Sequence, residues 1–146
     1  MKTGLVVAVW FLLACSASAQ GVSLTVAHLE EARKVHVGTL PCELGQSVVL
    51  EADPGTNGYF TLRLGKARYR LAPEITTTGA VRLEDKSAGI VWLQLANKSM
   101  LMNQKLGRRI ADDCKSAAQV QIGEELRKNP QASVLDVVTT TETAKK

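Results

Sequence analysis

The sequence predicts an all-β fold: a small antiparallel β-barrel closed by one disulfide, Cys42–Cys114, with a short N-terminal helix and a flexible C-terminal tail. Three observations lead there. Between residues 42 and 114 the chain breaks into short segments of alternating polarity, separated by turn residues at intervals of about ten. Two cysteines bracket that stretch. The chain has 146 residues, 45% of them hydrophobic and 22% charged, which suits one globular domain better than two.

The first residues read as an export signal. Lys2 supplies a positive charge, Leu5 to Ala14 is an unbroken apolar run, and Ser16-Ala17-Ser18-Ala19 is small. As a helix the apolar run rises about 15 Å, half of what a bilayer core requires. Two processing sites compete. Ala17-Ser18-Ala19 suits a general signal peptidase, giving a signal over 1–19. Leu12-Leu13-Ala14-Cys15 resembles a bacterial lipobox, giving a signal over 1–14 and an acylated Cys15 that attaches the protein to a membrane. Either route predicts a periplasmic or outer-membrane-anchored protein. In that oxidising setting Cys42 and Cys114 are natural partners, the alternative being two buried thiols. A bridge closing a loop of about 70 residues stabilises by roughly 4 kcal/mol in the chain-entropy picture.

Residues 20–41 form an N-terminal extension. Ser23 to Lys34 predicts a short helix, with Ser23 or Thr25 as cap and Leu24, Ala27 and Leu29 on one face. Val35 to Leu40 is then the first strand. Ser47 to Ala52 alternates, with Val48, Leu50 and Ala52 inward, and residues 53–58 are a dense turn signal. Tyr59 to Leu64 buries Phe60, Leu62 and Leu64; Ala67 to Leu71 buries Ala67, Tyr69 and Leu71; Pro73 ends that strand. Ala80 to Glu84 points Val81 and Leu83 inward, and Ile90 to Leu95 is the most apolar strand and central. Ser99 to Met102 and Arg108 to Ala111 complete the set, and closure removes exposed edges. After Cys114, residues 115–146 form a C-terminal extension; Ser116 to Lys128 has mixed helical and strand character, and the chain is expected to be mobile after about 130.

Composition narrows the chemistry. Aromatics are 4%, too few for a nucleic-acid stacking platform, and 18 basic against 14 acidic residues give only +4. No nucleic-acid partner is expected. His28 and His36 are the only histidines and have no metal-ligand spacing, so no metal or cofactor is expected and both read as surface groups. The carboxylate pairs, such as Glu84-Asp85 and Asp112-Asp113, are adjacent in sequence, and adjacent strand residues point to opposite faces. No catalytic residue is assigned, and the chain reads as a binding protein, not an enzyme.

Two features are candidate binding elements. Lys66, Arg68 and Arg70 at alternate positions line up three cations on one strand face, flanked by Arg63. Such a face either blunts edge pairing or binds anionic envelope components. The segment Thr76-Thr77-Thr78-Gly79-Ala80 is a hydroxyl-rich turn whose tip can donate to a carboxylate, or else a plain strand end.

The span 42–114 resembles the membrane-bound and periplasmic inhibitors of c-type lysozyme. The Thr-rich segment ending Thr78-Gly79-Ala80 resembles that family's Ser-Gly loop, and Ile90-Val91-Trp92 stands before the place of its lysine loop. The family's tyrosine position holds Arg82 or Leu83, and Trp92 is followed by Leu93-Gln94-Leu95, which leaves Lys98, a few residues later, as the nearest following lysine. The resemblance implies a small barrel whose loop hydroxyl and lysine enter the lysozyme cleft and bind its catalytic carboxylates. Carried over, those roles fall on Thr78, Gly79, Ala80 and Lys98, and the partner is a c-type lysozyme or another envelope protein.

Overall fold

The computed structural model describes residues 23–129. The signal, Cys15 and the tail beyond residue 129 lie outside the described residues. Eight strands follow one another as an antiparallel meander: β1 (Gly38–Pro41), β2 (Ser47–Ala52), β3 (Phe60–Leu64), β4 (Ala67–Glu74), β5 (Val81–Asp85), β6 (Ile90–Gln94), β7 (Ser99–Asn103) and β8 (Arg108–Cys114). Helix α1 (Val26–Arg33) precedes them and α2 (Ala117–Lys128) follows. The sheet curls into a nearly closed barrel. At the seam β1 and β8 share no ladder; Cys42–Cys114 bridges them, and Lys115 N–H donates to the Pro41 carbonyl at 3.0 Å.

Alternation builds the interior. Leu40, Val48, Leu50, Leu62, Leu71, Leu83, Trp92 and Leu101 are fully buried, and the register sets Leu83 opposite Trp92 and Trp92 opposite Leu101. A period of two points these side chains to one face, and curvature turns that face inward. The barrel class and the disulfide match the sequence expectation; Ile90–Gln94, expected to be the central strand, is the sixth of eight and is buried at four of its five positions.

Several local expectations are corrected. The first strand begins at Gly38, not Val35, because residues 34–36 are bonded to a side chain instead of a neighbouring strand: Gln94 accepts from His36 N–H at 2.8 Å and donates to the Lys34 carbonyl at 2.9 Å. Ala52 is exposed at the end of β2, and Ala27 is exposed on α1. Pro73 does not end its strand but is buried within β4, opposite Leu83. It is tolerated there because β3 has already ended at Phe60, opposite Leu71, and demands no donor from that side.

The helices are set by caps. Thr25 opens α1 in a capping box with His28; Leu24 and Leu29 lie against Gly58, where an added Cβ would stand 2.7 Å from each. Ser116 opens α2 in a capping box with Gln119. The sequence left residues 116–128 undecided; this box and the buried Gln119 settle them as helix. Gln119 donates to the Leu95 carbonyl (2.8 Å) and to Ser99 Oγ (2.9 Å), which ties α2 to the β6–β7 turn. His36, expected at the surface, is half-buried and hydrogen-bonded to the capping Ser116 hydroxyl at 2.9 Å.

Candidate functional site

Hairpin turns of an up-and-down barrel alternate between its ends, so the β2–β3, β4–β5 and β6–β7 turns share one end. The Thr-rich loop and Lys98 are therefore at the same end, on successive hairpins with β5 and β6 between them.

The loop joins β4 to β5. Thr76 Oγ1 donates to the Ala80 carbonyl at 2.7 Å and pins the base of the loop. Gly79 has φ +75, a conformation that glycine adopts without penalty, and nothing lies within 4 Å of where its Cβ would be. Thr77, Thr78 and Gly79 are exposed and Ala80 is half-buried. The Thr78 hydroxyl has no hydrogen-bond partner among the described residues. The tip thus stands clear of the barrel on a pinned base.

Lys98 closes the next turn: Leu95 N–H donates to its carbonyl at 2.8 Å. Its ammonium is 3.4 Å from Asp112 Oδ1, and Arg109 also pairs with Asp112. Burial works against the charge of Asp112, but the Asp113 N–H, Lys98 and Arg109 outweigh it and hold the carboxyl below its usual range. A carboxyl depressed in the folded state stabilises the fold above its unfolded value and loses that contribution as pH falls through the folded value. Stability is therefore expected to fall below about pH 4. Asp112→Asn should flatten part of that fall in urea melts at acid and neutral pH. An unchanged acid loss in the variant would remove Asp112 from the account.

The basic stripe is taken apart by the structure. Lys66 sits in the β3–β4 turn, not on the strand. Arg68 and Arg70 are exposed on the outer face of β4. Arg70 pairs with Asp53 at 3.1 Å and lies 4.1 Å over the Tyr59 ring, and Arg63 pairs with Glu51 at 3.1 Å. The Gly55 N–H and the Arg70 guanidinium hold the Asp53 carboxyl below its usual range. Arg68 and Lys66 make no ion pair among the described residues.

Sequence reasoning missed the hollows beside α1. One of about 290 Å³ and one of about 210 Å³ meet at Leu24, Tyr59 and Arg70. Their charged rim is paired internally, Lys86 with Glu74 at 2.5 Å. Only the joint packing of α1, the β2–β3 loop and β4 creates them, so no local signal marked them. Among the described residues no group of three or more His, Cys, Asp or Glu could hold a metal ion, and no helix is long and apolar enough to cross a membrane. Comparison with protein-family profiles, curated proteins and solved structures finds no match.

Proposed function

We propose that this is an exported envelope binding protein that acts as inhibitors of c-type lysozyme do, inserting the Thr78-Gly79-Ala80 tip into an acidic cleft with Lys98 beside it. One observation carries the reading: an exposed, hydroxyl-bearing loop on a pinned base shares one end of a small disulfide-closed barrel with a lysine-bearing turn two strands away. A hydroxyl donor and an ammonium match two carboxylates in a groove. Lys98 is engaged with Asp112, and that carboxylate keeps Arg109 as a partner when the lysine turns to a cleft. Exchanging that carboxylate for one in a cleft therefore costs little. The role is binding, not catalysis. A basic strand face for anionic envelope components is the weaker reading, because Arg70 and Arg63 already have acidic partners.

The test is protection of peptidoglycan from a c-type lysozyme by the purified oxidised protein at low ionic strength. Hydrogen bonds to charged groups contribute about 1.5–3 kcal/mol, so Thr78→Ala should weaken inhibition about tenfold or more, while Thr78→Ser retains it. Lys98→Ala should weaken it to a similar degree. No protection by the wild type, or equal protection by all variants, would end this reading.

A further inference from the structure

The β2–β3 loop holds Asn57-Gly58, and of the four asparagines in the chain Asn57 is the one followed by glycine. Glycine has no Cβ to screen its own nitrogen, so that nitrogen can approach the side-chain carbonyl carbon of the residue before it. Asn57 is exposed, and its amide makes no hydrogen bond among the described residues. The Gly58 N–H donates to no acceptor among them. The loop's own bonds pass it by: Asp53 N–H donates to the Tyr59 carbonyl (2.8 Å) and Tyr59 N–H to the Thr56 carbonyl (3.2 Å). The other asparagines are protected. Asn103 Oδ1 accepts from the Leu106 N–H at 2.9 Å, Asn97 is half-buried and precedes a lysine, and Asn129 precedes a proline, which has no N–H.

Helix α1 rests on this spot. Gly58 has φ +83, and an added Cβ would stand 2.7 Å from Leu24 Cδ1 and from Leu29 Cδ2. No residue of α1 is buried, and Ala32 and Val35 are only partly buried against the core, so the helix depends on a few such contacts. Asn57 and Leu29 together line two hollows, of about 290 and about 300 Å³. The charged residues of those hollows, Arg70 and Arg33, are paired with Asp53 and Glu30.

We propose that Asn57-Gly58 is a self-modification site, forming a succinimide whose isoaspartyl product releases α1 from the barrel. The Gly58 nitrogen loses its proton to hydroxide and attacks Asn57 Cγ. The N–Cγ bond forms, the Cγ–Nδ2 bond breaks, and the amide nitrogen takes up a proton and leaves as ammonia. Water then opens the ring, and nothing is oxidised or reduced. Opening at Cγ gives aspartate; opening at the main-chain carbonyl carbon gives isoaspartate, whose main chain runs through Cβ and Cγ. That product has one more backbone atom between the residues that the Tyr59–Thr56 bond joins. The turn cannot close around it, and Gly58 moves from beneath Leu24 and Leu29. This site is separate from the Thr78 loop and does not rest on lysozyme binding.

The full oxidised chain is aged in mildly alkaline buffer. Its intact mass should rise by one unit, and peptide mapping should place the gain at Asn57 before any at Asn97, Asn103 or Asn129. In the isoaspartyl form, separated from unaged protein, amide exchange at residues 26–33 should quicken about tenfold or more while residues 90–94 keep their protection. Asn57→Gln, whose side chain must close a larger ring, should gain no mass at residue 57 in the same time and should keep α1 protected. The proposal is overturned by an unchanged mass, by earlier reaction at another asparagine, or by an isoaspartyl form whose α1 exchanges as before. It is also overturned if aged Asn57→Gln loosens α1 to the same degree.

Discussion

Replacing Cys42 and Cys114 together by alanine should destabilise the fold by about 4 kcal/mol. The two residues are 72 apart in sequence, so the bridge removes much of the freedom of the unfolded chain. The native state adds a second reason. Every other strand boundary is a ladder, whereas the β1–β8 seam has the bridge and the Lys115–Pro41 bond. Alanine is chosen because Cys114 is fully buried and serine would place a hydroxyl there. Denaturant melts of the oxidised protein, the reduced protein and the double variant measure the effect. The melting temperature should fall by on the order of 15 °C. A loss below about 1 kcal/mol would mean that the hairpins and core close the barrel unaided.

Trp92→Ala should cost about 3–5 kcal/mol, the range for removing a buried aromatic side chain. Trp92 is fully buried on β6, with Leu83 and Leu101 opposite it on either side, also fully buried. The inner layers of β5, β6 and β7 therefore meet on this ring, and its removal leaves a void that neighbours tied by ladders cannot fill. The indole N–H has no acceptor among the described residues. An unsatisfied buried donor is itself unfavourable by about 1–3 kcal/mol. Trp92→Phe should then lose far less than alanine, about 1 kcal/mol, since relief of the orphan donor offsets much of the lost contact. Equal losses for phenylalanine and alanine would show that the nitrogen-bearing ring is needed for its shape alone.

Strand positions were legible because the signal is local. Val48 and Leu50, Phe60 and Leu62, Val81 and Leu83 alternate within single segments, and each pair is buried as the period of two requires. Pro73 was misjudged because its tolerance depends on where β3 stops, which its own segment does not encode. The Thr76–Ala80 turn could be placed from its glycine and β-branched run, and the structure adds the pinned base.

The charged stripe shows why sites are harder to read. Alternation put Arg68 and Arg70 on one face correctly, but the charge left free there is set by partners elsewhere. Asp53 reaches Arg70 from the β2–β3 loop, and Glu51 on β2 reaches Arg63 on the neighbouring β3. Gln94 and Gln119 look like surface residues in isolation; they are buried because they bond backbone groups of the segments they hold in place.

By itself the sequence determined the all-β class, the positions of most strands and the pairing of two cysteines, because polarity alternation, turn residues and cysteine count act over a few residues or by simple number. Only the tertiary structure decided which cations stay unpaired, which glutamines are buried and where the barrel closes without a ladder, because each depends on register and closure between segments tens of residues apart.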